Sequence, residues 1–181
     1  MTIVPKDPLL TAARWLINAF IAFAGLGILF AAIGLPALLL NQQRVVAALA
    51  ADGKTVVAPD FILAASSIMV LLAAFLVLCI WFLLQLRRIV GTVAAGDPFI
   101  RDNATRLSRM GWIALAAQAV AIPMAAAVIW ISNMVEDHDS VRLDDDVSFD
   151  GGGLVLVLIL FILARVFRQG AAMREDLEGT V

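Results

Sequence analysis

The chain has 181 residues, of which 62% are hydrophobic and only 15% are charged, and its formal net charge is −2. Soluble domains have about 45–50% apolar and about 25% charged residues, so this composition excludes an ordinary water-soluble domain and indicates a membrane protein. The single cysteine, Cys79, excludes an intramolecular disulfide and a thiolate metal site.

Four apolar segments are predicted to cross the bilayer, because a helical span needs about 20 apolar residues. They cover residues 15–40, 61–86, 111–134 and 151–169. Arg165 interrupts the last segment, but an arginine near a helix end can extend its side chain to the membrane surface. Helix is required because lipid satisfies no backbone hydrogen bonds and the segments lack the alternation of a barrel. The sequence therefore predicts an all-α fold, a four-span transmembrane helix bundle forming one membrane domain.

The distribution of basic residues predicts the orientation of these spans. Ten of the thirteen lysine and arginine residues lie near the N-terminus, in the connector between the second and third spans, or around the C-terminal tail. Lysine and arginine concentrate in cytoplasmic segments, so both termini and the connector are predicted to be cytoplasmic. The remaining parts are then a cytoplasmic connector at 87–110, external loops at 41–60 and 135–150, and a cytoplasmic tail at 170–181.

The second external loop is acidic and contains half of a cation-binding motif. Asp146, Ser148 and Asp150 alternate before Gly151, as the first ligands of a calcium loop do. The closing bidentate glutamate is missing, because its position falls on Val157 inside the fourth span. We therefore favour a solvated acidic loop over a calcium site, and we expect no metal or other cofactor.

Polar residues are few inside the spans, and none of them is acidic. This argues against a proton relay and against a cation-coupled transporter. Asn18 and Gln118 could line a pocket for a small molecule or lipid, or they could form hydrogen bonds between helices worth about 1 kcal/mol each. The chain has one histidine, no cysteine–histidine pair and no phosphate-binding glycine loop. We expect no enzymatic activity.

A carrier-like bundle using Asn18 and Gln118 is therefore one alternative function. A second is a structural subunit that associates with other membrane proteins through small residues such as Gly27, Ala31 and Gly34. Homo-oligomerisation is left open by the sequence.

The connector has a clear local pattern. Gly96 is suited to a helix C-cap, Asp97 and Pro98 predict a turn, and Asp102 is a candidate N-cap for the helix that becomes the third span. Topology alone accounts for the basic charge of this segment. It could also hold anionic lipid headgroups or present a docking surface to a cytoplasmic protein.

Two stretches of the chain resemble a known family. "GDPFIRDNATRLSRMGW" (96–112) resembles the connector "G-x-PF-x-x-x-N-x-x-RLR-x-IG" of the YoaS-like bacterial membrane proteins (domain of unknown function 2975). "ILARVFRQGAAMREDLEGTV" (162–181) resembles that family's C-terminal "LAEVFRxGxxLxEExxLTV". Arg165 stands where the family is expected to carry glutamate, so an acidic role is not carried over, and Arg165 could instead pair with Asp102.

The resemblance implies a non-enzymatic multi-pass protein of the bacterial cytoplasmic membrane. Members of such families are often encoded beside a small helix-turn-helix regulator, which implies that the cytoplasmic face binds or sequesters such a protein. Direct nucleic-acid binding is not expected, because the arginines are few and close to the membrane. The candidate partner-binding residues lie in the connector and tail: Asp97, Pro98, Phe99, Arg101, Asn103, Arg106, Arg109, Arg165 and Arg168.

Overall fold

The computed structural model describes residues 8–51, 58–135 and 151–178, and this part of the chain is helical except for short turns. Its five helices are α1 (Pro8–Leu40), α2 (Gln42–Ala51), α3 (Ala58–Ala94), α4 (Arg101–Val135) and α5 (Gly151–Glu178). The four longer ones, α1, α3, α4 and α5, are long and apolar enough to cross a membrane. The predicted all-α, four-span architecture is confirmed, and it indicates a multi-pass membrane protein.

The helices extend beyond the predicted spans. Within the predicted connector, α3 continues to Ala94 and α4 begins at Arg101, so only residues 95–100 are non-helical. The predicted tail is helical as far as Glu178, and the first loop contains α2. Hydropathy marks where a helix would meet lipid, whereas the helix itself continues until a turn stops it.

The chain divides into two compact units. The first comprises residues 1–24, 78–117 and 150–181, and the second comprises residues 25–77 and 118–149.

In the second unit, the small residues of α1 pack against α3. A Cβ atom added at Gly27 would lie 2.7 Å from Leu76 Cδ1, and one at Gly34 would lie 3.3 Å from Met69 Cε. Ala31, between them, is buried. The missing side chains therefore allow α1 to approach α3 of the same chain, and an association of this face with other membrane proteins stays a prediction.

The first unit has an apolar core that joins three helices. Its members come from α3, α4 and α5: Ile89, Leu107, Met110, Leu160 and Ala164. At Gly111 the backbone of α4 lies directly against the Phe161 ring, 3.0 Å from where a Cβ would be. The neighbouring Trp112 also contacts this residue, and its ring meets the Phe161 ring edge-on with 5.6 Å between centroids.

Many large apolar side chains are exposed at the surface of the helices. Trp15, Phe23 and Phe30 on α1 have 74%, 75% and 70% of their surface exposed. In water such a surface would be an aggregation hazard, but helices that cross a bilayer expose apolar side chains to lipid. The exposed faces thus agree with four membrane-crossing helices.

Candidate functional site

The connector begins with a glycine turn that closes α3. Gly96 has a φ of 80°, a backbone conformation that glycine adopts without steric cost. The Gly96 N–H donates to the Val93 carbonyl, and the Asp97 N–H donates to the Thr92 carbonyl, both at 3.0 Å. These two bonds form a Schellman motif that satisfies carbonyls at the helix end. The predicted C-cap at Gly96 is confirmed.

The side chain of Asn103 joins the end of α3, the connector and the start of α4. It is fully buried. Its Nδ2 donates to Thr92 Oγ1 at 2.7 Å and to the Pro98 carbonyl at 2.9 Å, and its Oδ1 accepts from Arg106 Nη1 at 2.8 Å. Asn103 was a candidate contact residue, but the structure places it inside the fold, where it positions the connector.

The start of α4 differs from the sequence-based expectation. The helix begins at Arg101, so Asp102 lies in its first turn and is not the N-cap. There its carboxylate is favoured by the helix dipole and pairs with Arg106 at 3.3 Å, one turn along the helix. The alternative pair of Asp102 with Arg165 is absent from the described part of the chain.

Two ion pairs tie the connector to α5. Arg174 pairs with Asp97, and Arg101 Nη2 lies 3.0 Å from Glu175 Oε2. In the first pair α5 contributes the arginine and the connector the acid, and in the second pair the roles are reversed. We call connector residues 97–103 together with α5 residues 167–175 the connector–tail platform.

An aromatic contact closes the connector–tail platform beside these ion pairs. The rings of Phe99 and Phe167 lie 5.2 Å apart between centroids. Phe99 also covers Gly170, where an added Cβ would be 2.9 Å from Phe99 Cδ1. Phe167, Gly170, Arg174 and Glu175 were not among the predicted site residues. The signal that could have identified them is the opposite order of charges in "GDPFIRD" and "MRED".

The remaining candidate residues lie outside this set of contacts. Arg109, Arg165 and Arg168 are exposed and form no ion pair or hydrogen bond with the described residues. Arg165 and Arg168 line a groove of about 440 Å³ between α4 and α5, together with Ser108, Phe161, Ala164 and Gln169. The predicted partner-binding residues thus fall into two groups. Those of residues 97–106 contact other residues of the connector or α5, whereas Arg109, Arg165 and Arg168 form no ion pair or hydrogen bond with the described residues.

The intramembrane polar candidates belong to different compact units. Asn18 is exposed in the first unit and Gln118 is half-buried in the second. Gln85 is the buried polar residue of α3, and its Oε1 accepts no hydrogen bond from the described residues.

The half-motif for a cation belongs to the second external loop of the predicted topology. Asp146, Ser148 and Asp150 lie outside the described residues. Among residues 8–51, 58–135 and 151–178, no group of three His, Cys, Asp or Glu side chains could hold a metal ion.

Comparison with known proteins assigns the chain to a family. The family described as "Protein of unknown function (DUF2975)" matches residues 30–181, which is well over half of the chain and includes the connector and α5. No curated protein and no solved structure matches. The match covers both stretches on which the resemblance was based, whereas the narrower YoaS-like designation stays a prediction. The chain therefore belongs to the family of proteins of unknown function DUF2975.

Proposed function

We propose that this protein is a non-enzymatic component of the bacterial cytoplasmic membrane whose connector–tail platform docks a small cytoplasmic protein. The partner implied by family context is a helix-turn-helix regulator. The observation that carries the proposal is the bracing of the connector against α5 by two ion pairs and an aromatic contact. A surface that is already ordered loses less conformational entropy when a partner binds.

The exposed side chains of the connector–tail platform suit a protein partner. Met173 is 63% exposed and Phe99 is 44% exposed, so apolar surface is available beyond the membrane-crossing segments. The same connector–tail platform carries charged side chains, with Arg101, Asp102 and Glu175 all more than half exposed. An apolar centre with a charged and polar rim is the usual anatomy of a protein–protein interface.

Docking at this surface would hold a DNA-binding regulator at the membrane and away from DNA. The proposed input is the acidic external loop at 135–150, on the opposite side of the membrane from the connector in the predicted topology. Release of the regulator would follow a change in the ends of α4 and α5, which continue from the connector–tail platform toward that loop.

Photocrosslinking in native membranes tests the proposal. A photoreactive amino acid at Met173 should form an adduct with a small soluble protein. The matched control is the same amino acid at Leu158, which is on the same helix and 60% exposed but lies within the apolar segment. Leu158 should react only with lipid or other membrane proteins. If Met173 gives no soluble-protein adduct under several growth conditions, the proposal is wrong.

A further inference from the structure

The arginines of the described chain fall into two groups. Arg101, Arg106 and Arg174 each pair with a carboxylate. The others form no ion pair or hydrogen bond within the described ranges: Arg14, Arg44, Arg87, Arg88, Arg109, Arg165 and Arg168. The unpaired arginines of α3, α4 and α5 stand where the uncharged apolar segments end. Their charges are therefore available to an external anion.

Arg165 and Arg168 on α5 share a groove, which distinguishes them from the unpaired arginines of α3 and α4. They are one helical turn apart on α5, so their side chains lie on the same side of that helix. Ser108 contributes a hydroxyl from α4, and Gln169 contributes an amide from α5. None of the lining residues is acidic, so nothing in the groove neutralises the two guanidinium groups. Arginine forks of this kind bind phosphate oxygens with two parallel hydrogen bonds.

The apolar part of the groove indicates that the anion carries a hydrocarbon chain. Phe161 and Ala164 line the groove beside the arginines. Along α5 away from the arginines, Leu158 and Ile162 are 60% and 53% exposed, as lipid-facing residues are. An arginine at such a boundary extends its charged group to the level of the lipid headgroups. The groove therefore combines a phosphate-binding end with a surface for acyl chains.

We propose that this groove is a binding site for an anionic phospholipid, with the headgroup phosphate held by Arg165, Arg168, Gln169 and Ser108. The acyl chains would run past Phe161 along the exposed apolar face of α5. The site uses different residues from the connector–tail platform and needs no cytoplasmic protein, so it stands or fails separately from the proposed function.

The test is lipid binding by the purified full-length chain. Native mass spectrometry in a neutral detergent would measure the retention of phosphatidylglycerol, with phosphatidylcholine, whose zwitterionic headgroup has no net charge, as the reference. The variant Arg165→Gln/Arg168→Gln should weaken phosphatidylglycerol binding about thirtyfold, since each arginine near an anionic lipid contributes roughly fivefold. The matched control is Arg87→Gln/Arg88→Gln, which removes the same charge from exposed, unpaired positions on α3 and should bind as the unchanged chain does.

Three outcomes would overturn the proposal. Equal losses of phosphatidylglycerol binding in the two double variants would show a general effect of surface charge. Unchanged binding in Arg165→Gln/Arg168→Gln would show that these arginines do not hold the lipid. Complete displacement of the lipid by millimolar inorganic phosphate would show a site for the free anion. Helical circular dichroism on heating checks that each variant folds, and the single variants Arg165→Gln and Arg168→Gln should each lose about fivefold.

Discussion

Asn103 Nδ2 donates a hydrogen bond to Thr92 Oγ1 at 2.7 Å, and this bond joins the last turn of α3 to the first turn of α4. The Thr92 hydroxyl in turn donates to the Ile89 carbonyl at 2.8 Å. One buried amide therefore sets how the two helices meet across the residue 95–100 turn. The contacts between the connector and α5 depend on that geometry, because Asp97, Phe99 and Arg101 lie within or directly beside it.

The Asn103–Thr92 bond should contribute measurably to stability. Thr92→Val keeps the side-chain shape but removes the acceptor, so a buried Asn103 donor loses its partner at a cost of about 1–2 kcal/mol. Thr105→Val is the control, because Thr105 is exposed and its hydroxyl makes only a 3.4 Å contact with the Arg101 carbonyl. Denaturant unfolding in detergent micelles measures both. Equal stabilities of the two variants would contradict the role assigned to this bond.

The Arg101–Glu175 ion pair should be weak and sensitive to salt. Both side chains are more than half exposed, and exposed pairs contribute about 0.2–1 kcal/mol. Arg101→Glu alone should loosen the end of α5, and adding Glu175→Arg should restore it. Hydrogen exchange of α5 amides in the four members of this double-mutant cycle gives the coupling free energy. That energy should decrease at high ionic strength, and a value unaffected by salt would exclude a simple ion pair.

A side chain at Gly111 should separate α4 from α5. An added Cβ would meet three Phe161 ring atoms at 3.0–3.2 Å, and the Phe161 ring also packs edge-on against Trp112. Gly111→Val should therefore destabilise the protein by about 1–3 kcal/mol. Gly25→Ala is the contrasting change, since nothing lies within 4 Å of that position and a helical alanine is favoured over glycine by about 0.5–1 kcal/mol. Thermal unfolding should move in opposite directions for the two variants.

Replacing Gln85 should make the protein more stable. Its Oε1 is buried and accepts no hydrogen bond from the described residues, which is an energetic cost that an apolar side chain avoids. Gln85→Leu should raise the free energy of unfolding by about 1 kcal/mol. Gln118→Leu, at a half-buried position, should change it by less than about 0.5 kcal/mol. A loss of stability in Gln85→Leu would mean that a bound molecule satisfies this oxygen.

Several features could be predicted from the sequence because they depend on short-range physics. The number of membrane-crossing helices follows from the length and apolarity of each segment, and the end of α3 follows from the conformational freedom of Gly96. Both are properties of neighbouring residues, so no knowledge of distant contacts is needed. The start of α4 was misplaced by two residues, because Asp102 is equally suited to an N-cap and to a first helical turn.

The tertiary structure alone decided what each polar residue of the connector does. Arg101 and Arg165 are both arginines close to a predicted membrane-crossing segment, so the sequence does not show which of them forms an ion pair. One is paired with a glutamate 74 residues away, and the other lines a groove with no acid in it. Asn103 similarly changed from a candidate surface contact into a buried support. Helix packing brings distant segments together, and only that proximity determines whether a charge is neutralised inside the chain or remains available to a ligand.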